Sequence, residues 1–130
     1  MKFLIFTILI IMLISYFGCE QTTEPSSPYV YVNYEIESAF QNDSVEVYLD
    51  NETILKSRVT TNYTISLAWS SGLQMLSRDY HLLQFKVVDY GVKMDYAVDV
   101  SNDTSTVLLR FNKDKKQISI KQIKGIYFRD

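Results

Sequence analysis

The sequence predicts an all-β protein, a single antiparallel β-sandwich of about eight strands. Three observations predict it. From Tyr29 onward, apolar and polar residues alternate with a period of two in segment after segment. Asn, Asp, Ser and Gly punctuate those segments at intervals of about eight to twelve residues. The composition, with 10 Tyr and only 4 Gly in 130 residues, suits pleated surfaces on which aromatic rings pack well. A barrel is the second arrangement the same pattern permits.

Each element follows from its own alternation. "YVYVNYEI" sets Val30, Val32, Tyr34 and Ile36 on one face and Tyr29, Tyr31, Asn33 and Glu35 on the other. "VEVYL" sets Val45, Val47 and Leu49 against Glu46 and Tyr48; Asp50-Asn51-Glu52 turns the chain, and residues 54–59 return beside it. "TISLAW" alternates Ile65, Leu67 and Trp69 with Thr64, Ser66 and Ala68, which places Trp69 in the core series. "SAFQN" and "SGLQML" each have the length of one helical turn. "HLLQFKV" directs Leu83, Phe85 and Val87 inward, and Asp89-Tyr90-Gly91 is the next turn. "KMDYAVDV" sets Met94, Tyr96, Val98 and Val100 opposite Lys93, Asp95 and Asp99. "TVLLRF" and "QISIKQI", joined by "NKDKK", close the domain, which runs over 29–130. At the level of this pattern the region resembles an immunoglobulin-like domain. It lacks the Cys…Trp…Cys spacing of antibody domains, so no residue role follows from the likeness.

The first residues belong to a different regime. Met1-Lys2 begins with a positive charge, and Phe3 to Phe17 is apolar except for Thr7 and Ser15. As a helix that run is roughly 22 Å long, short of the ~30 Å hydrocarbon core, which fits a secretory signal helix better than a membrane span. Tyr16 stands where a conventional cleavage site would have a small residue. Gly18-Cys19 resembles the end of the lipobox of bacterial lipoprotein signal peptides, with Tyr16 and Phe17 in place of the usual Leu and small residue. The resemblance implies a signal peptide over 1–18, cleavage before Cys19 and acylation of Cys19. It also implies residence in the cell envelope, at an outer membrane or cell surface rather than the inner membrane. Residues 20–28, "EQTTEPSSP", contain both prolines and no hydrophobic residue, and read with Cys19 as a flexible tether over 19–28. Cys19 is the only cysteine, so the domain must stand on its core without a disulfide.

Motifs that carry chemistry are scarce. There is no G-x-S-x-G, no Gly-rich phosphate loop and no Cys/His set for zinc, so no cofactor and no metal site is expected. The one histidine, His81, reads as structural or solvent-facing; only convergence with a Ser and an acid would make it a general base. Asp95 and Asp99, four positions apart on one strand, would lie roughly 13 Å apart, too far for a glycosidase pair. Asp99-Asn102-Asp103 and Asp50-Asn51-Glu52 offer oxygens to calcium without the order of a ligand loop, and suit turns equally well. Four N-x-[ST] sequons start at Asn42, Asn51, Asn62 and Asn102 and read as turn composition, while Asp43-Ser44-Val45 resembles a short bacterial O-glycosylation motif.

A net charge of −2 with no basic run interleaved with aromatics argues against nucleic acid. The charge is segregated: Cys19 to Leu55 holds eight acids and no Lys or Arg, whereas Lys56 to Asp130 holds twelve bases and seven acids. This predicts acidic early strands paired with basic late ones, in preference to a basic face for anionic lipid or polysaccharide. Tyr29, Tyr31 and Tyr48, opposite the core series, are the candidate glycan-stacking residues. The function expected is a membrane-anchored, non-catalytic interaction or structural module facing an envelope protein or glycan. A carbohydrate-binding module is the alternative.

Overall fold

The computed structural model describes residues 26–127; the expected signal helix, Cys19 and the tether as far as residue 25 lie outside them. Eight strands form: β1 (Tyr29–Glu37), β2 (Asp43–Leu49), β3 (Glu52–Val59), β4 (Trp69–Ser77), β5 (Leu82–Val87), β6 (Val92–Ala97), β7 (Thr104–Asn112) and β8 (Gln117–Lys124). They make two four-stranded sheets, ordered β4-β1-β7-β8 and β3-β2-β5-β6. The alternation read in β1, β2 and β5 is the reason they pack. Val30, Val32, Tyr34, Ile36, Val45, Val47, Leu83, Phe85 and Val87 are all 0% exposed, and Val107, Leu109, Phe111 and Ile118 meet them from the β7–β8 side. That buried layer between the sheets is the core.

Three expectations are corrected. The sandwich is not purely antiparallel: β1 runs parallel to β7, with Tyr31 opposite Thr104 and Glu37 opposite Arg110. Period-two alternation is the same in parallel and antiparallel strands, so it carries no strand direction. The immunoglobulin-like expectation holds as a two-sheet sandwich and not as a strand order. In the constant-type immunoglobulin sandwich the first strand lies beside the second, whereas here it lies between the fourth and the seventh.

The third correction concerns "TISLAW". Ile65 sits in a turn and is 45% exposed, and the strand begins only at Trp69 and runs through "SGLQML" to Ser77. A bulge explains the misreading. Opposite β1 the register slips between Asn33–Leu73 and Glu35–Ser70, so Ser71 and Gly72 together face Tyr34. Gly72 takes a left-handed φ of 67°, and the Ser71 hydroxyl accepts the Tyr34 N–H at 3.0 Å. The extra residue exchanges the faces beyond it: Leu73 and Met75 turn outward, Gln74 and Leu76 inward.

The turns follow their residues. Asp50 and Asn51 have φ of 50° and 67°, the two left-handed positions of a tight hairpin turn between Leu49 and Glu52. Asn42 is also left-handed, and the Asn62 side chain accepts the Thr64 N–H, so three sequon asparagines do turn work. Segregated charge becomes ion pairs between strands, as the sequence predicts. Glu37 meets Arg110 at 2.5 Å, Asp43 meets Lys113 at 2.7 Å, and Glu46 lies between Lys56 and Lys86 at 3.4 and 3.6 Å. On one side of the sandwich Gln122 of β8 closes the seam, donating to the Asp99 carbonyl and accepting the Asp99 N–H.

Candidate functional site

Three places bear on function: the segment that leads into β1, the exposed tyrosines, and the surroundings of His81. At the junction, Arg78 in the β4–β5 loop collects acceptors from several segments. Its Nε donates to the Ser27 carbonyl at 2.6 Å, its backbone N–H to the Pro28 carbonyl at 3.2 Å and its Nη1 to the Val100 carbonyl at 2.8 Å. Its Nη2 pairs with the Asp103 carboxylate. Ser27 and Pro28 are therefore held to the domain at a fixed point, and β1, which follows directly, is an interior strand.

Tyr29 and Tyr31 are each 46% exposed and share the outer face of the β4-β1-β7-β8 sheet. Met75, 59% exposed, is the register partner of Tyr31, and Leu73, 49% exposed, lies next along β4. Farther along β1 this outer face is not solvated as the alternation predicts. Asn33 and Glu35 are buried, Asn33 Nδ2 donates to Glu35 Oε1 at 2.8 Å, and the Ser70 hydroxyl donates to Asn33 Oδ1 at 3.0 Å. Tyr48 stands apart: it is half-buried on the outer face of the other sheet, and its hydroxyl donates to Glu46 Oε2 at 2.8 Å. Outer faces of a sandwich point in opposite directions, so Tyr48 cannot join Tyr29 and Tyr31 in one stacking surface. A single strand's alternation shows which residues face out and is blind to which sheet they face out from.

His81 does meet an acid and a serine. Its Nδ1 lies 2.6 Å from Asp50 Oδ2, and its Nε2 lies 3.0 Å from the Ser77 carbonyl and 3.2 Å from the Ser77 hydroxyl. The Asp50 Oδ1 accepts the Leu82 N–H at 2.9 Å, and the Leu82 carbonyl accepts the Asp50 N–H. The constellation has the members of a nucleophilic triad, but its proton assignment runs the other way. The Asp50 carboxylate and the Ser77 carbonyl can only accept, so the protonated ring is satisfied at both nitrogens. Partial burial opposes that charge. The hydrogen bonds to Asp50 and Ser77, with the charges of Asp50 and Asp79, outweigh it and raise the His81 pKa above its ordinary value. The hydrogen bond from His81 leads the causes that hold Asp50 below the ordinary carboxylate range. In that protonated form the ring cannot take the Ser77 proton. The group works as a clip between the β2–β3 turn and the β4–β5 loop.

The clip has a pH signature. A raised histidine pKa contributes stability that is fully present below about 6.5 and is lost as pH rises through the folded value. The depressed Asp50 contributes above about 3.9, and its share is lost as pH falls through its folded value. Thermal melting of His81→Gln against wild type is expected to show a deficit of about 1 kcal/mol at pH 5–6, discounted for the exposure of Asp50, that shrinks at alkaline pH. A deficit that grows with pH would contradict the imidazolium.

Three of the four calcium-candidate carboxylates are engaged elsewhere. Asp50 serves His81 and Leu82, Asp99 accepts the Ser101 N–H at 2.8 Å, and Asp103 serves Arg78. Among the described residues no group of three or more His, Cys, Asp or Glu is placed to hold a metal. Fold and site together define a two-sheet β-sandwich with a clipped N-terminal junction. No protein-family model matches the chain, and no curated protein matches it.

Proposed function

We propose that the chain is a bacterial envelope lipoprotein. Residues 1–18 direct export, Cys19 is acylated, residues 20–28 are the tether, and the β-sandwich is a non-catalytic interaction or structural module at the membrane surface. The order of segments carries the reading: a positively started apolar run, then Gly18-Cys19, then a stretch with no hydrophobic residue that leads into an interior strand. Fully extended, that tether reaches roughly 30 Å, which keeps the domain near the bilayer and raises its effective concentration toward partners there. The Arg78 clip supports the reading, because load on the anchor enters the fold at a hydrogen-bonded point. Labelling cells with an acyl-chain analogue tests it. Label on the wild-type chain and none on Cys19→Ser is expected; label on both, or on neither, would refute lipidation at Cys19.

A second reading is favoured by one observation, the adjacency of Tyr29, Tyr31 and Met75 on a single exposed strip. Rings two positions apart on a strand lie roughly 7 Å from each other, a spacing suited to stacking on successive faces of a glycan. Glycan-array binding is then expected to disappear in Tyr29→Ala/Tyr31→Ala and to survive in Tyr48→Ala. Loss in Tyr48→Ala alone, or binding to no glycan, would remove this reading.

A further inference from the structure

The seam between the edge strands β3 and β4 is not filled. It holds a cavity of about 460 Å³ bordered by Tyr34, Leu49, Asp50, Glu52, Gln74 and Leu76, within the range of small-molecule sites. Three features set it apart from a packing gap. Tyr34 is 0% exposed, and its hydroxyl is the one buried side-chain polar atom with no hydrogen-bond partner among the described residues. Such a group costs stability unless something satisfies it. The bulge at Ser71–Gly72 turns Gln74 to the inner face, where an apolar residue would otherwise close the seam. Glu52 stands exposed at the mouth and, among the described residues, forms no ion pair.

The chemistry of the lining is one-sided. Glu52 offers a carboxylate, Asp50 already accepts from His81 and Leu82, and Gln74 donates one Nε2 hydrogen to the Ser71 carbonyl at 3.1 Å and keeps its amide oxygen as an acceptor. Burial, with the nearby charge of Asp50, raises the Tyr34 pKa and keeps its hydroxyl protonated, with a lone pair still available. No basic side chain borders the cavity, while Leu49 and Leu76 give it apolar walls. We infer that this cavity binds a small organic cation, an ammonium on a short hydrocarbon body, with the charged head on Glu52 and Gln74 and within reach of the Tyr34 hydroxyl. The site does not depend on how the chain is anchored, and it shares only Met75 with the Tyr29–Tyr31 strip.

Titration of the full chain with n-pentylamine, charged at pH 7, tests the inference, with 1-pentanol as its neutral counterpart. The amine is expected to shift the amide signals of Leu49 and Leu76 saturably, and 1-pentanol to bind at least about fivefold more weakly. Tyr34→Phe and Glu52→Gln are each expected to weaken amine binding by about fivefold, while Tyr34→Phe melts no lower than wild type, because it removes an unsatisfied group. Equal binding of both probes would make the cavity an apolar void and overturn the inference. So would the absence of saturable binding, the hydroxyl then being satisfied by water alone. A lowered melting temperature for Tyr34→Phe with unchanged amine affinity would give the hydroxyl to the fold and overturn it as well. Should Tyr34→Phe fail to fold, Glu52→Gln decides by itself, since wild-type affinity there refutes the ammonium head.

Discussion

Cys19→Ser is expected to cost the protein its firm hold on the membrane. Each buried CH₂ contributes about 0.8 kcal/mol, so one acyl chain holds only marginally and two or more hold stably. A serine hydroxyl cannot replace the sulfur proposed to carry the acyl chains. What then remains is the apolar run Phe3 to Phe17, roughly 22 Å as a helix against a ~30 Å core, and a tether with no hydrophobic residue. A carbonate wash that leaves wild type on the membrane is expected to release most of the variant. Equal retention of both chains would assign the hold to another part of the molecule.

Phe85→Ala is expected to have the largest effect on folding. Phe85 is 0% exposed on β5, an interior strand, where it is the register partner of Val47 on one side and Met94 on the other. Truncating a buried Phe loses its transfer free energy and leaves a cavity, together about 3–5 kcal/mol. A domain of this size has a total stability of about 5–15 kcal/mol, with no disulfide here to support it. The melting temperature is expected to fall on the order of 20 °C. Leu73→Ala, on the outer face of β4, is the matched control and is expected to change stability by no more than about 0.5 kcal/mol. A small loss for Phe85→Ala, or a large one for Leu73→Ala, would mean that the inner and outer faces are assigned wrongly.

The strands that the sequence predicts well are those whose two faces see different surroundings for their whole length. In β5, Leu83, Phe85 and Val87 are buried against the other sheet while Leu82, Gln84 and Lys86 stay half-exposed, and hydrophobic alternation is a direct record of that fact. β4 was illegible for a local reason: the Ser71–Gly72 bulge breaks the period, so the apolar residues on either side belong to different faces. Strand pairing was illegible for a global one. Nothing in residues 29–37 or 104–112 encodes that the two segments run side by side in the same direction.

The site residues divide in the same way. Exposure of Tyr29 and Tyr31 followed from the pattern, but the placement of Tyr48 on the other sheet did not. The His81 clip joins residues 31 positions apart and appears only once the strands are paired. Tyr34 did carry a signal: it is the one member of its inward series with a polar group. A hydroxyl among Val30, Val32 and Ile36 needs a partner, and none of the described residues supplies one.

Segregated charge shows how a compositional feature can be mistaken for a surface. Three of the early acids, Glu37, Asp43 and Glu46, face bases from later strands, so much of the basic surplus is used inside the domain. The acids are buried or half-buried beside partly exposed bases. The main effect of the pairs is on register and solubility, and they reduce what is available to attract an anionic surface. Under the proposed lipidation, the anchor is then the feature that decides where the protein acts.

The intact mass of the chain recovered from the membrane fraction tests that claim most directly. A chain beginning at Cys19, heavier than its amino-acid mass by at least two acyl chains, is the predicted result. A chain that begins at Cys19 with an unmodified thiol, or one that still carries Phe3 to Phe17, would contradict it.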